Sequence, residues 1–151
     1  MIYLASDHNG YEMKEKIKQY LTQKGFDFED MGPYRYDKDD DYPDFTYLAA
    51  KKIAQNPEHN RGILICGSGV GMALAANKVK GVYCAQVWNK KMARGAREHN
   101  GINTLSFGVD YTDQNEILAS IEEFLHTPAK TAERHERRFK KVQEIESLWL
   151  L

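Results

Sequence analysis

Cysteine is scarce in this 151-residue chain. Only Cys66 and Cys84 are present, each inside or beside a β-branched apolar run, which excludes a disulfide framework and a tetrahedral cysteine zinc site. Long apolar stretches are missing too. Nothing approaches the roughly 20 residues of a membrane span, and the opening Met1-Ile2-Tyr3-Leu4-Ala5-Ser6-Asp7 has no basic region ahead of an apolar one. The expectation is a soluble, cytoplasmic chain without membrane contact, its thiols reduced. An excess of charge is also absent: 21 basic against 22 acidic residues give a formal net charge of −1. That argues against a nucleic-acid surface and leaves room for a local cationic cluster around a small anion. There is no repeat and no low-complexity tract, and the length suits one domain, residues 1–151, built on one core.

What is there alternates. Strand-like runs at Ile2–Ala5, Phe26–Phe28, Ile63–Cys66, Val82–Val87 and Thr104–Phe107 are separated by helical patterns. The first helix carries Met13, Ile17 and Leu21 at four-residue spacing and ends toward Gly25 as a C-terminal cap. Others are read over Phe45–Ala54, Gly71–Lys78, Lys90–His99 and Glu116–Leu125. Strands alternating with helices form a sheet covered on both faces through right-handed crossovers. The predicted fold is therefore α/β: a Rossmann-like three-layer α/β/α sandwich with a five-stranded, mainly parallel sheet. An extra C-terminal helix over about 132–148 puts Phe139, Val142, Ile145 and Trp149 on one apolar stripe that packs on the core or on a second subunit. The acidic run Asp37-Lys38-Asp39-Asp40-Asp41 reads as a solvated surface loop rather than a metal site.

The sharpest local signal is Ile63-Leu64-Ile65-Cys66-Gly67-Ser68-Gly69-Val70-Gly71-Met72, a buried strand running into a glycine-rich turn that opens a helix. In open α/β sheets such turns lie at the carboxyl edge of the strands, where backbone N–H groups can approach an anion. The spacing is neither a dinucleotide fingerprint nor a P-loop, so the glycines alone are equally consistent with a tight turn. Cys66 adds chemistry: a thiol at the exposed end of a strand beside a helix start can exchange protons, although a lone cysteine there is more often structural. Asp7-His8 ends the first strand and falls on the same edge; it can move protons or bind phosphate, or Asp7 can cap a helix. His99-Asn100 closes a helix, where histidine also suits the dipole. Arg134 and Arg138, four apart on one helical face, can clamp a phosphate or form part of a solvated basic face.

Taken in order, Asp7-His8-Asn9-Gly10, Tyr42-Pro43, Cys66-Gly67-Ser68-Gly69-Val70-Gly71, Ala76-Asn77-Lys78, His99-Asn100, Phe107-Gly108 and Arg134-His135-Glu136-Arg137-Arg138 resemble the ribose-5-phosphate isomerase B and galactose-6-phosphate isomerase family over nearly the whole chain. The resemblance implies a sugar-phosphate isomerase domain that converts an aldose phosphate to its ketose through an enediolate, with no metal or organic cofactor. Ribose 5-phosphate and ribulose 5-phosphate are the leading pair. The alternatives are allose or galactose 6-phosphate, or a non-catalytic module holding a sugar phosphate or nucleotide.

By the same resemblance Cys66 is the base at C2, and backbone N–H groups of Gly67, Ser68, Gly69, Val70 and Gly71 stabilise the oxyanion, with Ser68 assisting at a sugar oxygen. His99 opens the furanose ring with Asp7 as a partner, Asn100 and Tyr42 orient hydroxyls, and His8, Arg134 and Arg138 hold the phosphate. A site shared between two subunits implies a homodimer, with a tetramer as the larger option. The galactose 6-phosphate enzymes of this group pair two different subunits, one lacking the cysteine; Cys66 and His99 in one chain favour a homo-oligomer. Three features depart from the family pattern. Ser68 stands where threonine is common, and Asp110 where many relatives carry a phosphate-contacting arginine. The chain also ends in an apolar Leu148-Trp149-Leu150-Leu151, an additional contact surface between subunits.

Overall fold

A computed structural model describes residues 1–148, so Trp149 and the apolar end beyond it lie outside the described residues. Five strands, β1 (Ile2–Ser6), β2 (Phe28–Asp30), β3 (Arg61–Cys66), β4 (Cys84–Gln86) and β5 (Thr104–Gly108), form one sheet in the order β2-β1-β3-β5-β4. Every pairing is parallel, with Leu4 opposite Ile63 and Ile63 opposite Leu105, so the sheet is wholly rather than mainly parallel. The six helices are α1 (Tyr11–Lys24), α2 (Tyr42–Ala54), α3 (Val70–Ala76), α4 (Lys90–Asn100), α5 (Gln114–His126) and α6 (Glu133–Leu148).

The period of two along each strand sorts the core into two layers. Leu4, Ile63, Ile65, Leu105 and Phe107 face one side, where Met13, Ile17 and Leu21 of α1, Ala93 of α4 and Ile117, Ile121 and Phe124 of α5 cover them. Tyr3, Ala5, Leu64 and Cys66 face the other, beneath Ala49, Ala50 and Ile53 of α2 and Met72 and Ala76 of α3. This is the expected α/β/α sandwich.

The elements are those read from the sequence, and the differences lie at their ends. β2 starts at Phe28 rather than Phe26 because Gly25 takes the left-handed conformation (φ 77°) and the Phe26 N–H donates to the Leu21 carbonyl, which spends residues 26–27 on the helix cap. β4 is shorter than Val82–Val87 because the Tyr83 N–H donates to the Asn103 side chain and Asn77 brackets Cys84 with two hydrogen bonds, replacing ladder bonds at this edge. α2 begins at Tyr42, not Phe45, with Pro43 in its first turn, where a missing N–H costs nothing. On α6 the predicted stripe is only partly inward. Phe139 is buried edge-on against Tyr83, with ring centroids 4.8 Å apart, while Val142 and Ile145 are 48% and 59% exposed. Glu146 ties the helix down, accepting from the Gly81 N–H at 2.8 Å and the Tyr83 hydroxyl at 2.9 Å.

Candidate active site

The chain leaves β1 for the edge strand β2 and then returns to place β3 on the other side of β1. The carboxyl ends of β1 and β3 therefore flank the switch point where open α/β sheets form clefts. Two turns meet there. The Asp7 N–H donates to the Ile65 carbonyl at 3.2 Å, and a Cβ built at Gly10 would stand 2.3 Å from the same oxygen, so Asp7-His8-Asn9-Gly10 lies directly on the end of β3.

The turn after β3 is tightly specified. Gly69 has φ 80°, and its N–H donates to Cys66 Sγ at 3.0 Å. The Ser106 hydroxyl donates to the Gly69 carbonyl and Gln86 Nε2 to the Ser68 carbonyl, both at 2.6 Å. The Val109 and Asp110 N–H groups close the other side on the carbonyls of Cys66 and Gly67. Two donors of the expected oxyanion cradle are thus engaged internally, Gly69 by the thiol and Val70 by Ser68 Oγ at 3.2 Å. Cys66 is 4% exposed, so of the two placements the sequence allowed, an exposed strand end or a buried thiol, it takes the buried one. The Tyr42 ring lies on Gly71, where a built Cβ would come within 2.7 Å of it, so glycine at 71 is what admits the ring. Asp110 does not turn away: its Oδ2 is 3.0 Å from a Cβ built at Gly67, beside the Asn9 amide at 3.3 Å.

Asp7 is buried, and its Oδ1 accepts from the Gly10 N–H at 3.0 Å, which shapes the entry to α1. Burial, with Asp40 nearby, holds its carboxyl above the usual range. His8 makes a contact the sequence did not foretell. Its Nδ1 lies 2.7 Å from Asp40 Oδ1, and its backbone N–H donates to the same oxygen at 3.0 Å. The reading of Asp37–Asp41 as a solvated loop is therefore corrected at Asp40, whose side chain is 6% exposed. The hydrogen bond that the His8 ring donates to Asp40 raises the His8 pKa above its ordinary value.

The remaining candidates gather at the opposite edge. In a parallel sheet α4 runs back from the carboxyl end of β4 to the amino end of β5, and eleven residues at 1.5 Å each carry its end about 16 Å down. His99 and Asn100 sit at that lower end, just before the Gly101 cap (φ 65°). There His99 stacks on His135 with ring centroids 4.8 Å apart, and His99, Asn100, Asn77, Cys84, Tyr83 and Arg138 line a pocket of about 200 Å³. Arg134 and Arg138 are exposed, and His135 between them is buried with Nδ1 unpartnered among the described residues. Burial, followed by the charges of Arg134, His99 and Arg138, lowers the His135 pKa.

One chain thus assembles two half-sites. Cys66, Ser68, Asp7, His8, Tyr42 and the glycine turn share the carboxyl edge; His99, Asn100, Arg134 and Arg138 belong to the other. Among the described residues Asp7 and His99, and likewise His8 and the two arginines, lie on opposite edges of the sheet. Sequence reasoning gave no role to Asp40 or His135. For His135 a signal existed, since it sits inside the Arg134–Arg138 segment. Asp40 was hidden in a run of like charges, and only the fold reveals which carboxylate turns inward.

Comparison with known proteins agrees with this architecture. The family model described as Ribose/Galactose Isomerase matches residues 2–142. Among curated relatives, ribose-5-phosphate isomerase B of Mycobacterium tuberculosis is 42% identical over 96% of this chain and 89% of its own length. Among solved structures, ribose-5-phosphate isomerase B from Mycoplasma genitalium with bound ribulose-5-phosphate superposes with a TM-score of 0.93 at 41% identity, covering 97% of this chain and 95% of that one. The Clostridium thermocellum ribose-5-phosphate isomerase B gives 0.91 at 36%, covering 98% of each.

Proposed function

Because the chain belongs to the Ribose/Galactose Isomerase family, we propose that it is an aldose–ketose isomerase that interconverts ribose 5-phosphate and ribulose 5-phosphate. The observation that carries this reading is the Cys66 thiol, enclosed by a glycine turn at the switch point of the sheet and flanked by Asp7, His8 and Tyr42.

In the forward direction the furanose must open first, because the cyclic sugar has no carbonyl. His99, with Asp7 of a second copy, takes the O1 hydroxyl proton and supplies one to the ring oxygen, so that the bond from C1 to the ring oxygen breaks as the C1 carbonyl forms. Cys66 as thiolate then takes the proton from C2; the electron pair forms the C1–C2 double bond, and the carbonyl oxygen at C1 becomes an enediolate oxygen. Backbone N–H groups of the Gly67–Gly71 turn other than those of Gly69 and Val70, which are engaged internally, stabilise that charge, and the Ser68 hydroxyl and Asn100 amide hold neighbouring sugar oxygens. The thiol returns the proton to C1 while the O2 hydroxyl proton passes to O1, which forms the C2 carbonyl and the C1 hydroxyl of the ketose and restores the thiolate. At the far end His8 and the arginine pair Arg134 and Arg138 hold the phosphate, whose binding energy positions C2 against the thiol.

The separation of the two half-sites by the length of α4 means that this set of groups works only when the lower edge of one chain meets the carboxyl edge of another. A homodimer is the smallest closed assembly that does so for both sites. The Asp110 carboxylate over Gly67 makes that corner unfavourable for a phosphate, which supports binding of the dianion on the His8 side. It also supports a second reading, preference for a longer sugar 6-phosphate whose extra hydroxyl meets the carboxylate.

The test is turnover of the purified protein on ribose 5-phosphate, allose 6-phosphate and galactose 6-phosphate with EDTA present, beside the Cys66→Ala variant. The expected result is Cys66-dependent turnover, fastest on ribose 5-phosphate. Preference for a 6-phosphate would replace the substrate assignment, and retained turnover by Cys66→Ala would end the proposed role of the thiol.

A further inference from the structure

The Asp40 carboxylate is almost fully enclosed, at 6% side-chain exposure, yet its bonding is lopsided. Oδ1 takes both the backbone N–H and the ring Nδ1 of His8, at 3.0 and 2.7 Å, while Oδ2 is buried without a hydrogen-bond partner among the described residues. A buried carboxylate needs a compensating charge, and leaving one without costs several kcal/mol by a rough reckoning. Among the described residues no lysine or arginine lies within 4.0 Å of Asp40; His8 is its ion-pair partner. A neutral ring donating from Nδ1 would supply a hydrogen bond without charge, so the enclosure favours the imidazolium. The double contact also fixes orientation: backbone and ring of His8 are gripped by one oxygen, and Tyr36 packs edge-on against the ring with centroids 6.4 Å apart. With Nδ1 committed, Nε2 is the ring nitrogen left for a ligand, and no hydrogen bond is made to it among the described residues.

We propose that Asp40 is a positioning residue: it locks His8 with Nδ1–H donated inward and keeps the ring cationic, so that Nε2–H is presented as a charged donor to the substrate phosphate. Assigning the phosphate to His8 rests on the isomerase reading above; the dyad itself does not. The acidic run before α2 thereby contributes one carboxylate to the site while its neighbours remain in solvent. The other groups acting on the His8 ring are Asp7, on the turn before α1, and Asp39, on the same loop as Asp40. Both carry the sign that supports the imidazolium, which agrees with the raised pKa of His8.

Asp40→Asn separates charge from shape, because the amide oxygen can still accept from both His8 N–H groups. The His8 ring is followed by NMR through a pH titration in the wild type and in Asp40→Asn, with inorganic phosphate as the probe ligand. The expected midpoint lies above 6.5 in the wild type and falls by about one unit in the variant, and phosphate binding weakens by about tenfold near pH 7.5 but is unchanged near pH 5.5. In turnover the loss should appear in KM at high pH, with kcat nearly constant. An unchanged midpoint, or a loss of phosphate affinity equal at both pH values, would overturn the proposal in favour of a merely structural contact. Should Asp40→Asn fold poorly, Asp40→Glu serves as the second variant: it retains the charge and should retain a raised midpoint. Absence of turnover on every sugar phosphate, with the His8 midpoint shifted as expected, would remove the isomerase reading and leave the dyad standing.

Discussion

Gly108→Ala tests whether the reacting centre is the turn after β3. Gly108 ends β5 and is buried, and a Cβ built on it lies 2.3 Å from the Ser68 carbonyl oxygen and 2.4 Å from its carbon. Both are backbone atoms, so no side chain can swing aside. An ordinary contact needs about 3.4 Å, which forces the Cys66–Gly69 turn away from β5 by roughly 1 Å. Displacement on that scale in a positioned site costs about a hundredfold in rate, near 2.7 kcal/mol. The overpacking costs about 2 kcal/mol of stability, or a melting temperature lower by roughly 4–8 °C in a chain of this size. The assay is kcat/KM on ribose 5-phosphate with the melting curve measured alongside. Gly25→Ala is the control: Gly25 has φ 77° with nothing within 4 Å of a built Cβ, so alanine strains the backbone far from the turn and should leave turnover intact. A folded Gly108→Ala enzyme within twofold of the wild type would refute the location of the chemistry. Equal losses in both variants would reduce the effect to stability.

The shared site predicts that inactive Cys66→Ala and His99→Asn proteins, mixed equally and allowed to exchange subunits, regain up to about a quarter of wild-type activity, since half of random dimers are mixed and each holds one intact site; no recovery on complete exchange would place both residues in one chain's site. Lys14→Met should destabilise the fold by about 3 kcal/mol in urea titrations: the ammonium is fully buried and donates to Asp30 Oδ1 and the Pro33 carbonyl, both at 2.6 Å, although Asp30 keeps Lys18 and the Gly32 N–H. A change under 1 kcal/mol would show that pair to be dispensable. Asp110→Asn removes a negative charge beside Gly67 and should lower KM for ribose 5-phosphate severalfold with little change in kcat; a raised KM would mean that the carboxylate binds substrate.

How much of this was legible in the sequence depends on how local the signal was. The strand β3 and its glycine turn announce themselves because apolar residues, Cys66 and three glycines are contiguous, and the αL cap at Gly25 follows directly from the pattern before it. Element ends were missed where side chains substitute for ladder bonds, as Asn77 and Asn103 do around β4. The burial of Cys66 was one of two readings the sequence left open, because the turn over it is held by Ser106 and Gln86, from strands well separated in sequence. The separation of the candidate residues between two edges was implicit in the alternation itself: a residue after a strand and a residue ending a helix lie at opposite ends of a parallel sheet.

Ion pairs at two carboxylates, Asp30 and Asp40, brace the segment between β2 and α2, and their pH behaviour differs in sign. At Asp30 burial opposes ionisation, but hydrogen bonds from Lys14 and Lys18 hold its pKa below the usual range. A depressed carboxylate adds stability above its unfolded pKa of about 3.9 and loses it only as the pH falls through the folded value, so this brace is intact throughout the neutral range. The His8–Asp40 pair has the reverse sign. A histidine raised by its partner adds stability that is fully present below about 6.5 and is lost as the pH rises through the folded value. A pair whose imidazolium persists above the ordinary histidine range, where a sugar phosphate is already a dianion, is a poor fastener at high pH but a suitable ligand for that dianion. Bound phosphate would in turn stabilise the imidazolium and extend the pair to higher pH. The loop is therefore anchored at Asp30 for folding and, on the proposed reading, presented at Asp40 for binding.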